Sequence, residues 1–372
     1  MKNNRTFLEK LLDGAEVEWK PLIKVASLTR GRVISKEYLA DNVGDYPVYS
    51  SQTVNNGEIG KINSFDFDGE FVSWTTDGAN AGTVFYRSGK FSITNVCGLI
   101  KIQNNLELNY KFLFYWLSIE AKNHVYSGMG NPKLMSHQME KILIPIPPLP
   151  VQIEIVKILD ALTALTSELT SELTSELILR QKQYEYYREK LLSFDSLEQL
   201  NSGGGEKKLI DVAKIKNGKD WKHLEEGNIP IYGSGGIMGY VDTYSYDKPT
   251  VLIPRKGTIT NIFYLEEPFW NVDTIYYTEI DTTQILPKYF YHFMKTVDLT
   301  KLDTGSGRPS LTQAILNEIP IFVPSIEEQQ RIISILDKFE TLTNSITEGL
   351  PLAIEQSQKR YEYYRELLLN FS

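Results

Sequence analysis

QKQYEYYREKLLSF, residues 181–194, returns as QKRYEYYRELLLNF at residues 358–371, with eleven of fourteen positions identical. An offset of 177 is far too long for a solenoid unit and marks the tandem duplication of a whole module. Working outward, the same offset pairs Pro147 with Pro324, Gln152 with Gln329, and Ile158, Leu159 and Asp160 with Ile335, Leu336 and Asp337. It also pairs the Gly128-Met129-Gly130-Asn131-Pro132 stretch with Gly305-Ser306-Gly307-Arg308-Pro309. Small insertions then widen the offset. Val84-Phe85-Tyr86 faces Ile262-Phe263-Tyr264 at 178, Pro47-Val48-Tyr49 faces Pro230-Ile231-Tyr232 at 183, and Leu22, Val25, Ala26 and Gly31 face Leu209, Val212, Ala213 and Gly218 at 187. Glu9-Lys10-Leu11-Leu12 echoes Glu189-Lys190-Leu191-Leu192, so the N-terminal segment sits inside the repeat unit. That cyclic order would place both termini at one end of a pseudo-symmetric particle.

Each repeat has two parts. Residues 16–149 and 206–325 are rich in β-branched and aromatic residues punctuated by Gly, Pro, Asn and Asp, the composition of α+β domains large enough for their own cores. Gly69 to Trp74 and Thr250 to Ile253 read as strands, and Tyr110 to Glu120 and Lys288 to Lys295 as short aromatic helices. Residues 150–195 and 326–372 read as long helices, following the proline-rich IPIPPLP and VPS stretches that stop the preceding element. Residues 1–15 complete the cycle as a helical segment, and 196–205 read as a linker. Apolar residues recur at three and four: Ile153, Val156, Leu159, Leu162, Leu165, Leu169, Leu173 and Leu177, then Ile332, Ile335, Phe339, Leu342, Ile346 and Leu350. A helix of this length spans on the order of 65 Å at ~1.5 Å per residue, and one apolar stripe on it calls for a partner, most simply the other copy. The expected fold is α+β: two pseudo-two-fold-related domains separated by two long antiparallel helices forming a coiled coil. Gly349-Leu350-Pro351 predicts a kink or short break in the second.

Composition narrows the functional classes. No apolar run approaches membrane-spanning length, the N-terminal stretch has no secretory hydrophobic segment, and one cysteine, Cys97, excludes intrachain disulfides, so the expectation is a cytoplasmic protein without membrane contact. Cys97 reads as a buried strand residue. The net charge of −8 argues against nucleic acid until it is partitioned: residues 16–149 balance 13 basic against 13 acidic side chains, 206–325 carry 13 against 15, and each helix carries −3. Acidity thus lies in the rods and leaves room for basic patches on the domains.

Catalytic chemistry is sparse. His124, His137, His223 and His292 show no ligand spacing, so no metal site is expected. Gly233 to Gly239 fails the dinucleotide pattern at Met238, and Gly60-Lys61, Gly89-Lys90 and Gly218-Lys219 lack the rest of a phosphate loop. Glu18-Trp19-Lys20 and Glu206-Lys207-Lys208 resemble a nuclease ExK pattern that is common by chance. What recurs instead is a set of polar loops in matched frames: Ser51, Gln52, Thr53, Asn55 and Asn56 after Tyr49, with Ser234 after Tyr232; Thr76 and Asn80, with Arg255, Lys256, Thr258 and Thr260; and Asn131 and Lys133, with Arg308 and Ser310. These side-chain types pair with base edges or phosphates. The frames match while the residues differ, which suggests two different readings by one kind of reader.

The SGMGNPKL and GSGRPSL loops, the IPIPPLPVQIEIVKILD and VPSIEEQQRIISILD helix starts and the paired QKQYEYYRE and QKRYEYYRE segments together resemble the specificity subunits of type I restriction-modification systems. The resemblance covers essentially the whole chain. It implies a non-catalytic DNA-binding subunit with two target recognition domains. It further implies two modification subunits that bring S-adenosylmethionine and methylate adenine, and restriction subunits that bring ATP- and Mg-dependent translocation and cleavage; this chain itself binds no cofactor. The TSELTSELTSEL run, Thr166 to Leu177, has no counterpart in the second helix and is similar to short repeats whose copy number sets half-site spacing. Four helical residues advance ~6 Å and overshoot a turn by ~40°, close to the twist of one base pair. Tyr184, Tyr187, Arg188, Tyr361, Tyr364 and Arg365 are candidates for docking the modification subunits, with packing between the helices as their competing role. A coiled-coil scaffold carrying paired protein-binding domains is the alternative.

Overall fold

The β-branched and aromatic runs become strands, and the proline-rich stretches become the joints between sheet and helix. The computed structural model describes residues 6–128, 130–199, 204–305, 307–345 and 347–371; Met129, Ser306, Ile346 and residues 200–203 of the expected linker lie outside them. The chain divides into two units, residues 1–170 with 356–372, and residues 171–355. Each unit therefore takes in a globular domain together with portions of the long helical segments.

In unit one a six-stranded sheet runs in the order Ala26–Arg30, Cys97–Ile102, Phe67–Thr75, Val84–Ile93, Val43–Tyr49, Glu58–Ile62. All neighbours are antiparallel except Val43–Tyr49 beside Val84–Ile93. Unit two repeats the order with Ala213–Lys216, Ile275–Ile280, Thr250–Pro254 and Phe263–Leu265, but its remaining strands, Gly236–Val241, Ile229–Gly233 and Trp270–Asn271, form a separate sheet. The long strand Val84–Ile93 of unit one is thus split in unit two into Phe263–Leu265 and Trp270–Asn271. Pro268 lies in the gap, where a residue without an N–H cannot continue a central ladder. The parallel pairing survives the split: Val48 faces Ser92 and Tyr49 faces Ile93, as Ile231 faces Trp270 and Tyr232 faces Asn271.

A short ribbon closes each unit. Glu18–Pro21 pairs with Leu143–Ile146, and Gly205–Lys208 pairs with Pro320–Val323 in the equivalent antiparallel register. Lys20 of the first ribbon bonds Glu107 at 2.7 Å and Glu18 at 3.0 Å, so the ExK-like carboxylate is taken up in an ion pair. The helix Tyr110–Glu120, capped by the Asn109 side chain, buries Phe112, Leu113, Tyr115 and Leu117 against the sheet; Pro287–Met294 buries Tyr289, Phe290, His292 and Phe293 in unit two. Cys97 is buried, and burial raises its thiol pKa to about 11.

The first long helix spans Leu149–Leu192, and Phe194–Gln199 continues as a short helix into the segment expected to be a linker. The second is two helices, Ile326–Asn344 and Leu350–Leu369. The break ends at Gly349, where φ is +85° and a Cβ would come within 2.6 Å of the Thr341 carbonyl oxygen, a position suited to glycine.

The helix face that packs on each domain is set by a polar residue. Gln152 is fully buried, accepts from Asn109 N–H at 2.9 Å and donates to the carbonyls of Glu107 and Pro147, both at 2.8 Å. Gln329 accepts from Leu286 N–H at 2.7 Å and donates to Gln284 and Pro324 at 3.0 and 2.9 Å. All four positions in each set differ by 177. The buried stripe consequently runs through Gln152, Ile155, Val156 and Leu159, while Ile153, expected in it, is 50 % exposed. Leu165 is 62 % exposed and also leaves the core stripe.

Candidate nucleic-acid interface

Each unit brings three separate loops together by the same backbone bonds. In unit one the strand Phe67–Thr75 runs out into residues 76–80. Gly78 N–H donates to the Pro132 carbonyl at 3.0 Å and Leu134 N–H donates to the Thr76 carbonyl at 2.9 Å, which joins this loop to residues 130–134. The Asn80 amide then donates to the Ser51 carbonyl at 2.9 Å, drawing in residues 50–57. In unit two Gly257 N–H donates to the Pro309 carbonyl at 3.0 Å, Leu311 N–H to the Arg255 carbonyl at 2.8 Å, and the Asn261 amide to the Ser234 carbonyl at 3.1 Å. The bridges Asp77 with Lys133 and Lys256 with Ser310 complete the match.

Beneath each loop cluster one large aromatic donates to the equivalent carbonyl: Trp74 Nε1 to Leu134 at 2.9 Å, and Tyr276 OH to Leu311 at 3.2 Å. Each loop frame is thereby tied to the core of its own unit.

Within these frames Thr53, Asn55, Asn56, Asn131 and Lys133 are exposed in unit one, and Lys256, Thr258, Thr260 and Arg308 in unit two. Other candidates prove to shape the loops. Thr76 is fully buried, accepts from Arg30 at 3.1 Å and donates to Asp77 at 2.6 Å, so it is not a base-contacting group. Gln52 spends its amide on the Glu58 carbonyl and Asn80 on Ser51. Arg255 is half-buried with its guanidinium 5.8 Å from the Tyr276 ring centre, and donates to the Asp273 carbonyl at 3.3 Å. Ser234 accepts from Asn261 through its carbonyl, and its N–H donates to Thr274 at 3.3 Å. Ser310 N–H and Gly305 N–H both donate to Asp303 at 2.8 Å, bonds that hold this carboxyl below its usual range and fix the Arg308 loop.

Two loop-forming residues escaped the sequence reading. Arg30 binds Thr76 and the Asn95 carbonyl and lies 3.6 Å from Asp77; it carries no repeat signal, because position 217 is Asn. Asn261 was recoverable, since its offset of 181 from Asn80 falls between the offsets of the flanking segments.

A second matched cluster joins each domain to its helix. In unit one Asp160 takes Lys111 at 2.5 Å and the Tyr115 hydroxyl at 2.7 Å, while Thr163 Oγ1 donates to the Tyr361 hydroxyl at 3.0 Å. In unit two Asp337 takes Lys288 at 2.7 Å and His292 Nε2 at 2.9 Å, Tyr291 OH donates to Glu340 at 3.0 Å, and Tyr184 OH lies 3.4 Å from His292 Nδ1. Burial raises the Tyr115 and Tyr184 pKa values, the latter to about 12, and lowers that of His292. Among the described residues His292, Asp337 and Glu340 form the group that could hold a divalent cation, but the Lys288 ammonium already pairs with the Asp337 carboxylate. The unit-one counterparts Tyr115 and Thr163 make the same joint without histidine. The cluster is a clasp.

Of the docking candidates, Tyr184 is corrected to a core residue, 6 % exposed. Tyr361 is half-buried on Thr163. Tyr187 stacks on Phe339 at 5.6 Å yet keeps 41 % of its surface, and Tyr364 keeps 43 %. Arg188 and Arg365 lie over the Tyr184 and Tyr361 rings at 5.2 and 5.6 Å, each with a buried Nε that has no hydrogen-bond partner. Among the described residues no helix is long and apolar enough to cross a membrane.

A family model described as the type I restriction modification DNA specificity domain matches twice, over residues 15–178 and 201–356. A Haemophilus influenzae protein named as a type I restriction enzyme specificity subunit is 44 % identical over 399 aligned positions, covering all of both chains. The EcoprrI specificity subunit of Escherichia coli is 35 % identical, covering 92 % of each chain. The fold is also similar, with a TM-score of 0.69 at 14 % identity and coverage of 96 % of this chain and 98 % of the other, to a chain from a solved type I restriction-modification system described for its complex assembly and conformational transition.

Proposed function

The chain belongs to the type I restriction-modification DNA specificity family, and from that premise we propose that each loop cluster reads one half of a bipartite DNA sequence. The helical segments set the unread gap and dock two modification subunits. The chain supplies recognition only. S-adenosylmethionine would enter with the modification subunits, and ATP and Mg with restriction subunits.

The observation that supports this reading most is the pair of three-loop clusters. Identical backbone bonds hold Gly78 to Pro132 and Gly257 to Pro309, yet the exposed side chains on those frames are Asn131 and Lys133 in one and Lys256, Thr258 and Arg308 in the other. A shared frame with different side chains is the arrangement expected for two readers of different base sequences. Methylating an adenine requires flipping it from the stack, and stiff loops anchored by Trp74 and Tyr276 suit holding a distorted duplex.

The test is methylation mapping in cells that carry this chain with a modification subunit. One bipartite motif is expected. Exchange of residues 16–149 for another recognition domain should change one half-site only, and a change in both halves would overturn the modular reading. Deletion of one TSEL repeat should shorten the gap with both half-sites intact.

A further inference from the structure

Arg87, on the strand Val84–Ile93, is 2 % exposed and has no carboxylate partner among the described residues, the unit-one ion pairs Arg30 with Asp77, Arg32 with Asp66 and Lys111 with Asp160 all leaving it out. Taking a guanidinium out of water without an opposite charge is costly, and burial lowers its pKa to about 10, which leaves it charged at neutral pH. Its bonds show where that cost is recovered. Nε donates to Ser73 Oγ at 3.0 Å, Nη1 donates to the Asn56 carbonyl at 2.8 Å, and the cation lies 3.6 Å from the Tyr49 ring centre and 4.4 Å from that of Phe85.

The carbonyl it holds belongs to an unusual turn. Asn55 (φ +51°), Asn56 (φ +53°) and Gly57 (φ +81°) are three consecutive residues in the left-handed region, which non-glycine residues enter only when something over-determines them. Gly57 lies directly on the guanidinium, since a Cβ there would come within 3.1 Å of Nη2. Ser50 N–H donates to the Gly57 carbonyl at 2.8 Å and Gln52 closes on Glu58. The backbone of the turn is thus pinned from below while both asparagine side chains stand exposed at its tip, in the loop that Asn80 ties to the rest of the cluster. Unit two has no such prop: the position matching Arg87 is Leu265, and the turn is Ser234-Gly235-Gly236.

We propose that Asn55 and Asn56 are base-reading side chains of the first recognition domain, matched to an A·T pair, and that Arg87 is the positioning residue that presents them. The inference rests on the DNA-reading function proposed above. A carboxamide donates to N7 and accepts from N6 of adenine in one plane, and one such pair discriminates about ten- to a hundredfold against another base pair.

The experiment uses the full chain with its modification subunit and compares N55G/N56G with R87M by methylation mapping and by binding to duplexes altered in the first half-site. Glycine enters the left-handed region freely, so N55G/N56G keeps the turn and removes only the amides. Expected is a loss of about ten- to a hundredfold discrimination at one or two A·T positions of the first half-site, with the second half-site and the gap unchanged. R87M, checked by thermal unfolding, should relax the same positions although both amides are present. An unchanged first half-site in N55G/N56G overturns the proposal, whether or not R87M folds; relaxation in N55G/N56G with a folded, fully selective R87M overturns the positioning role. Absence of any bipartite motif with the unaltered chain would instead defeat the broader DNA-reading function.

Discussion

Unit one places Trp74 opposite Gly98 on neighbouring strands, and unit two places Ile253 opposite Tyr276 at the matching positions. A Cβ on Gly98 would come within 2.1 Å of the Trp74 ring, so the indole occupies the space of the missing side chain. In unit two the bulk sits on the other strand. Yet both aromatics reach up and donate to the same carbonyl of the loop cluster, that of Leu134 or Leu311. The duplicated domains have conserved a bond and a filled volume while exchanging which strand provides them. What the two units share is the bond that ties the loop frame to the strands beneath it, while the side chains above that frame differ.

The strongest way to break that equivalence is at the buried glutamines. Alanine at Gln152 or Gln329 leaves one backbone N–H and two carbonyls in part-buried or buried surroundings without their partner, a loss of about 3 kcal/mol or more at roughly 1 kcal/mol and upward per unsatisfied group. Urea unfolding of the full chain should show similar losses for Q152A and Q329A. A silent Q152A beside a damaging Q329A would mean that the two joints are not one design.

Next in size is the exchanged aromatic. W74I removes a fully buried indole and its bond to Leu134, at a cost of about 2–4 kcal/mol, and G98Y alone overpacks the sheet. The double variant W74I/G98Y copies unit two and should recover at least about 2 kcal/mol of the summed losses, a coupling measurable in a double-mutant cycle. Strict additivity would show that the two solutions are not interchangeable.

The repeat itself was legible because Gln152, Asp160 and the tyrosine-rich helix ends kept their spacing, and with it came the two-domain α+β organisation and the three loops. The Gly349 break was readable from its glycine and proline. The stripe phase at Ile153 was not, because a count of apolar residues passes over a buried glutamine that sets the inward face. The exchange of Trp74–Gly98 for Ile253–Tyr276 was invisible to a one-dimensional match, since neither position retains its size. Arg87 was hidden for a related reason: an arginine in a strand reads as solvent-facing until Asn56, Tyr49 and Phe85 are seen around it. The candidate loops were found, but which of their side chains face outward depended on bonds such as Asn80 to Ser51 that join residues far apart in the chain.

A smaller contrast lies in the clasp, where His292 of unit two stands for Tyr115. Burial lowers the pKa of His292, so below its ordinary value of ~6.5 the unfolded chain takes up the proton before the folded one does. Stability is therefore full above about pH 6.5 and falls as the pH drops from there toward the folded-state value, with a slope of at most ~1.4 kcal/mol per pH unit from this group. H292Y, which copies unit one, should flatten that part of the profile in unfolding experiments between pH 5 and 7, measured against the parent chain. A profile equally steep in H292Y would assign the dependence to other groups.

The least effect on stability is expected from the lysines of the same clasp. Lys111, Lys288 and Asp160 are about two-fifths exposed and Asp337 is 30 % exposed, so each pair is screened and contributes no more than ~1 kcal/mol. K111M and K288M should thus be close to neutral at pH 8. Their difference appears on acidification. Lys288 is one of the charges that lower the pKa of His292, against the raising influence of Asp337 and Glu340. Its removal raises the histidine toward the unfolded value, which shrinks the gap between the two states and weakens the loss of stability below pH 6.5. Lys111 shares Asp160 with Tyr115, which carries no charge in that range, so K111M should leave the profile unchanged. Parallel acid titrations of the two variants would then separate one clasp from the other by a proton alone, and identical shifts in both would show that the histidine is not the group that distinguishes them.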